Sequence, residues 1–111
     1  MAKGGFPGMG GANMQQLMKQ AQKMQQDMQK AQAELAEREF TAAAGGGMVS
    51  ATVRGDKTLV KLTISPDCVD PDDVEMLQDL VCAAVNEALR TAAETIDAEM
   101  RRFTGGMGLG L

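Results

Sequence analysis

A chain of 111 residues with a net charge of −4, two cysteines and no histidine is bounded before any pattern is read. Its length suits one domain with a modest core, and its composition excludes a disulfide framework, a histidine metal centre and imidazole acid–base chemistry. With three Phe and no Tyr or Trp, that core must come from Met, Leu, Val, Ile and Ala, and ten Met make it adaptable.

The charge is unevenly spread. Residues 1–33 hold Lys3, Lys19, Lys23 and Lys30 against Asp27 alone, a net of +3, whereas residues 34–111 carry a net of −7. The global charge disfavours nonspecific nucleic-acid binding, while the local distribution allows it. Cys68 and Cys82 lack metal-ligand spacing and read as incidental thiols of a reduced, cytosolic protein. No apolar run approaches the ~20 residues of a bilayer span, and no charged-then-apolar start marks a signal peptide.

Residues 1–12 hold five glycines and Pro7 and are expected to be a flexible tail, as are the glycine-rich residues 104–111. The folded part is then 13–103. A first helix is expected from Asn13 to Glu39, with Asn13 as cap and Gln16 reaching back in a capping box. Within it Met14, Leu17, Ala21, Met24, Met28, Ala31 and Leu35 recur at spacings of three and four. That heptad seam needs a partner helix. At 1.5 Å per residue the helix is about 40 Å long, so part of it must protrude or pair outside its own subunit.

Three strands follow. Phe40 to Ala44 is the first, ended by Gly45-Gly46-Gly47. Met48 to Arg54 alternates, with Val49, Ala51 and Val53 on one face. Gly55-Asp56 signals a two-residue hairpin, and Thr58 to Ser65 alternates with Val60, Leu62 and Ile64 on one face. A second helix is expected from Pro71, capped by Asp70, with Asp72 and Asp73 at its positive end. Leu77, Leu80, Val81, Val85 and their neighbours make a broad apolar face. Arg101 and Arg102 suit the negative end, and Gly105 the stop. The fold class is α+β, in the order α-β-β-β-α, with a three-stranded antiparallel meander.

The segment Ala44-Gly45-Gly46-Gly47-Met48-Val49, the hairpin, and the run from Leu77 through Asp79-Leu80 to Asn86-Glu87-Ala88 resemble the YbaB/EbfC family of bacterial nucleoid-associated proteins. The resemblance covers 13–103. It implies a cytoplasmic, nucleoid-bound, tweezer-like homodimer whose first helices project as arms and which binds double-stranded DNA. Contacts are inferred from charge placement. Lys19, Lys23 and Lys30 face away from the seam beside Gln16 and Gln26, where ammonium groups neutralise phosphates and amides reach phosphate or base edges. Arg101 and Arg102 could extend the track, and Lys3 could assist from the tail. The competing reading is a solvated face, with Lys23–Asp27 and Lys30–Glu34 pairs and arginines that merely complement the helix end. Leu17, Met24, Met28, Leu77, Leu80, Val81 and Val85 are assigned to core or dimer contacts.

The other features are structural. Gly45-Gly46-Gly47 joins strands and lacks the lysine and hydroxyl of a phosphate loop. The acidic run from Asp67 to Asp79 lacks EF-hand spacing and reads as capping and solvation. No catalytic, cofactor-binding or metal-ligating residue is expected, and the chain reads as no enzyme. The functional alternative is a small dimeric chaperone or adaptor that grips protein clients through Met14, Met18, Met24 and Met28.

Overall fold

The computed structural model describes residues 13–105. Both expected tails fall mainly outside this range, as does Lys3. The elements are α1 (Met14–Glu37), β1 (Glu39–Ala44), β2 (Val49–Arg54), β3 (Leu59–Ile64), a 3-10 turn at Pro66–Cys68, and α2 (Val74–Gly105). The order α-β-β-β-α is as expected. The strands form one antiparallel sheet in the order β1-β2-β3.

The sheet and α2 build the core. Val49, Ala51 and Val53 of β2 are buried on the face that α2 covers, as their alternation predicts. Opposite them lie Ala84, Ala88 and Ala92, four residues apart and therefore on one stripe of α2. Small side chains on that stripe let the helix approach the sheet closely. Leu77, Leu80, Val81 and Val85 pack around the buried cluster and remain half-buried. Phe40 and Cys68 complete the core, with the Cys68 thiol donating to Ser65 O at 3.2 Å.

Gly45 reverses the chain between β1 and β2 at φ 64°, and a Cβ there would lie 2.8 Å from Leu80 Cδ2. The backbone conformation fixes Gly45, while the end of the Leu80 side chain would have to shift for any larger residue.

Several expectations need correction. Asn13 does not cap α1: its own backbone is helical (φ −69°, ψ −33°), and its side chain makes no capping bond. The helix α2 starts at Val74, not Pro71. Asp70 instead closes a turn, its carboxylate accepting from Asp72 N at 2.9 Å and its carbonyl from Asp73 N at 2.9 Å. The Asp73 carboxylate then accepts from Met76 N at 3.2 Å, so Asp73 does the capping. At its far end α2 runs on to Gly105, two residues past the expected Phe103.

The hairpin is not the two-residue type either. Lys57 N donates to Arg54 O at 2.8 Å and Arg54 N to Thr58 O at 2.9 Å, with Lys57 at φ 73°. This is a three-residue loop, a tight turn followed by a left-handed residue. A register shift beside Val53 then places Leu59, not Val60, opposite Val53, while Leu62 faces Ala51 and Ile64 faces Val49.

Gly55 has a different task. Its amide donates to Arg38 O at 2.9 Å and the Asp56 amide to Ala36 O at 3.1 Å. Carbonyls left unpaired at the end of α1 are thus satisfied by the hairpin. A Cβ on Gly55 would sit 1.9 Å from Leu35 O and 3.2 Å from Ala36 Cα, so no other residue permits this approach. Gly55→Ala should force the hairpin off α1, costing about 2–4 kcal/mol in overpacking and lost hydrogen bonds. A urea midpoint equal to that of the parent chain would show that the two elements do not need this contact.

Candidate nucleic-acid interface

The α1 helix leaves the body as an arm. Every residue from Met14 to Asp27 is exposed. Only the C-terminal part of the heptad seam is covered: Leu35 is buried and Met28 and Ala31 half-buried, where α2 passes alongside. Toward the tip, Met24 is 38 % exposed and Leu17 60 %. Leu17 and Met24 therefore take no part in this chain's own core, and Met14 and Met18 are equally open.

Lys19, Lys23 and Lys30 are exposed along the arm. The local pairs of the competing reading do not form: among the described residues, neither Lys23 with Asp27 nor Lys30 with Glu34 makes an ion pair. Spacing brings such groups near each other, but in water the gain barely repays fixing two long side chains. All three ammonium groups are thus available. Gln22, Gln25, Gln26 and Gln29 line a shallow groove on the same helix.

The arginines of α2 differ. Arg101 holds Asp97 at 2.6 Å, and Arg102 lies 3.8 Å from Glu99 while stacking over the Phe103 ring at 5.7 Å. Arg90 is bound by Glu87 at 2.7 Å and Glu94 at 3.3 Å, and the Glu87 hydrogen bond, then the charges of Glu87 and Glu94, raise its pKa. Each of these cations has a carboxylate beside it on its own helix. Arg102 does reach the arm: with Lys30, Ala31 and Glu34 it lines a cleft between the two helices.

Sequence reasoning passed over the cations at the arm's root. Arg38 ends α1 and stacks over the Phe40 ring at 5.2 Å, with no ion pair among the described residues. Arg54, Lys57 and Lys61 belong to the hairpin that docks there. No motif marks them, because the docking depends on Gly55, which reads in sequence as an ordinary turn residue. Among the described residues, no group of acidic and cysteine side chains could hold a metal ion, and no helix is long and apolar enough to cross a membrane.

The hairpin carries one perturbed acid. Hydrogen bonds from the Thr58 side chain and amide, then the Arg54 charge, lower the Asp56 pKa from 3.8. A lowered folded-state pKa adds stability above the unfolded value, and that stability is lost as pH falls through the folded one. An NMR titration of Asp56 should therefore give a midpoint below 3.8, and Thr58→Ala should move it upward. A midpoint unmoved by Thr58→Ala would remove the Thr58 hydroxyl as a cause and leave its amide.

The molecule is a small α+β protein with a helical arm whose outer part, residues 14–33, is net positive, on an acidic body. The YbaB/EbfC DNA-binding family matches residues 9–107. A nucleoid-associated protein of Clostridium novyi is 60 % identical over 110 residues, covering 98 % of this chain and 96 % of that one. One from Clostridium acetobutylicum is 58 % identical over 109 residues, covering 98 % and 97 %. One from Acetivibrio thermocellus is 59 % identical over 108 residues, covering 97 % and 95 %. The crystal structure of an uncharacterized Helicobacter pylori protein shares the fold, with a TM-score of 0.66 at 23 % identity, over 81 % of this chain and 95 % of that one. This chain belongs to the YbaB/EbfC DNA-binding family.

Proposed function

We propose that this chain is a nucleoid-associated DNA-binding protein that acts as a homodimer and holds duplex DNA mainly through its phosphates. The observation that carries the reading is a projecting helix with three unpaired lysines in a chain that is otherwise acidic. Membership of a DNA-binding family and three nucleoid-associated relatives support it. Lys19, Lys23 and Lys30 are the principal contacts. Arg101 and Arg102 join only by exchanging their carboxylates for phosphates, and Lys3 adds a charge from the N-terminal segment. The reading contains no catalytic step, cofactor or metal, and it places the protein at the nucleoid.

What α2 leaves uncovered supports the dimer. The helix spans β1 and β2, so Leu59 and Leu62 on its side of β3 stay 46 % and 38 % exposed. Val69, Val74 and Met76 are exposed as well, and among the described residues β3 has no strand on its outer edge. A two-fold axis beside β3 would lay each copy's patch against the other and set two arms on one body. Leu62→Glu should shift the protein from dimer to monomer in sedimentation while far-ultraviolet dichroism is kept. A dimer that survives this change would move the interface elsewhere.

The second reading, a chaperone or adaptor, draws on the exposed Met14, Leu17, Met18 and Met24. The two readings use different faces of α1. Anisotropy on a ~30-base-pair duplex across salt concentrations separates them. The triple change of Lys19, Lys23 and Lys30 to Gln should lower the slope of log affinity against log salt by about 0.9 per contact removed. The Arg101→Gln, Arg102→Gln double should lower it less. An unchanged slope in the triple variant, still dimeric, would remove the arm lysines from the mechanism and turn attention to the methionine face.

A further inference from the structure

We propose that the phosphate-binding track does not stop at the arm but continues onto the β2–β3 hairpin, where Lys57 makes the contact. The inference rests on the DNA reading above and deepens it.

Placement comes first. Gly55 and Asp56 are hydrogen-bonded to Arg38 and Ala36 at the end of α1, and Lys57 is the next residue. The hairpin tip is therefore tied to the arm's root by two hydrogen bonds. From Lys19 to Ala36 the helix rises about 26 Å. That length spans roughly seven or eight base pairs at 3.4 Å each. A cation at the root adds positive charge beyond Lys30, past Glu34 and Glu37 of the same helix, on backbone that is hydrogen-bonded to the arm.

Availability comes second. Lys57 is exposed and makes no ion pair among the described residues. Its neighbour Asp56 is engaged by Thr58 and Arg54 instead. Lys61, exposed on β3 opposite Thr52, lies on the sheet face away from α2 and flanks the same tip.

Conformation comes third. Among the described residues Lys57 is the one non-glycine at positive φ, at 73°. This hairpin type needs a left-handed residue there, and Gly or Asn takes that conformation at lower cost. A lysine is the costly choice for the turn, so its side chain supplies the reason for its presence. Strained positions of this kind gather at binding sites.

The conformation also provides an unusual test, because strain and charge predict opposite signs. Lys57→Gly relieves the backbone and removes the cation. It should leave the melting midpoint unchanged or raised, yet weaken binding to a ~30-base-pair duplex about three- to tenfold at 50 mM salt and lower the salt slope by about 0.9. Lys57→Arg should keep the parent slope, since it keeps the charge. Parent-like affinity and slope in the folded Lys57→Gly protein would overturn the inference and leave the arm reading standing. A parent chain with no salt-dependent binding at all would fail the DNA reading, and the hairpin contact with it.

Discussion

The contact between the β2–β3 hairpin and the last turn of α1 sets everything the arm can do. A helix that leaves a small body needs something to fix its direction, because its free end can swing widely for a small change at the root. Here the fixing group is backbone: two hairpin amides meet carbonyls that the helix end leaves unpaired. Backbone groups can approach so closely only because position 55 has no side chain. The result is a lever whose pivot is held by hydrogen bonds rather than by bulky packing. Stacking of Arg38 over Phe40 adds a side-chain brace at the same place.

The body follows from a second constraint, the alanine stripe of α2. Ala84, Ala88 and Ala92 bring the helix close to β2, where Val49, Ala51 and Val53 are sealed. Close approach gives dense contact over a narrow strip, and a single helix on a three-stranded sheet then covers β1 and β2 but not β3. A wider face of Leu or Phe would hold the helix higher and shield more of the sheet less tightly. The exposed leucines of β3 are the consequence of that geometry.

Much of this could be read from the residues because the periodicities are strong. The heptad of α1, the alternation of β2 and the glycine triplet each admit one local structure. The failures share a cause: several residues satisfied the same rule, and tertiary hydrogen bonds chose among them. Asp70 and Asp73 are both good helix caps, and the turn that Asp70 closes on Asp72 and Asp73 leaves only Asp73 at the helix start. Gly55-Asp56 matched a two-residue turn, but Gly55 was required for its closeness to α1, so the left-handed residue became Lys57. The arm lysines were identified by charge and lack the partners that i,i+4 spacing offered. The root cations were missed because their grouping is made by a docking that no local pattern encodes.

A net charge of −4 opposes an affinity for DNA until distance is considered. Six of the fifteen acidic residues gather where α2 begins, from Asp67 to Asp79. The end of α2 lies beside the arm, where Arg102 meets Lys30 and Ala31. From Val74 to Arg102 the helix rises about 42 Å. At physiological salt the screening length is about 8 Å, so that acidic end is several screening lengths from the arm. On the proposed reading, a duplex lying along α1 is screened from that cluster and meets Lys19, Lys23 and Lys30 together with Asp27, Glu34 and Glu37 of the same helix. The same acidity repels a duplex that approaches the opposite end, so the charge pattern selects a binding face even where each lysine alone is indifferent to sequence.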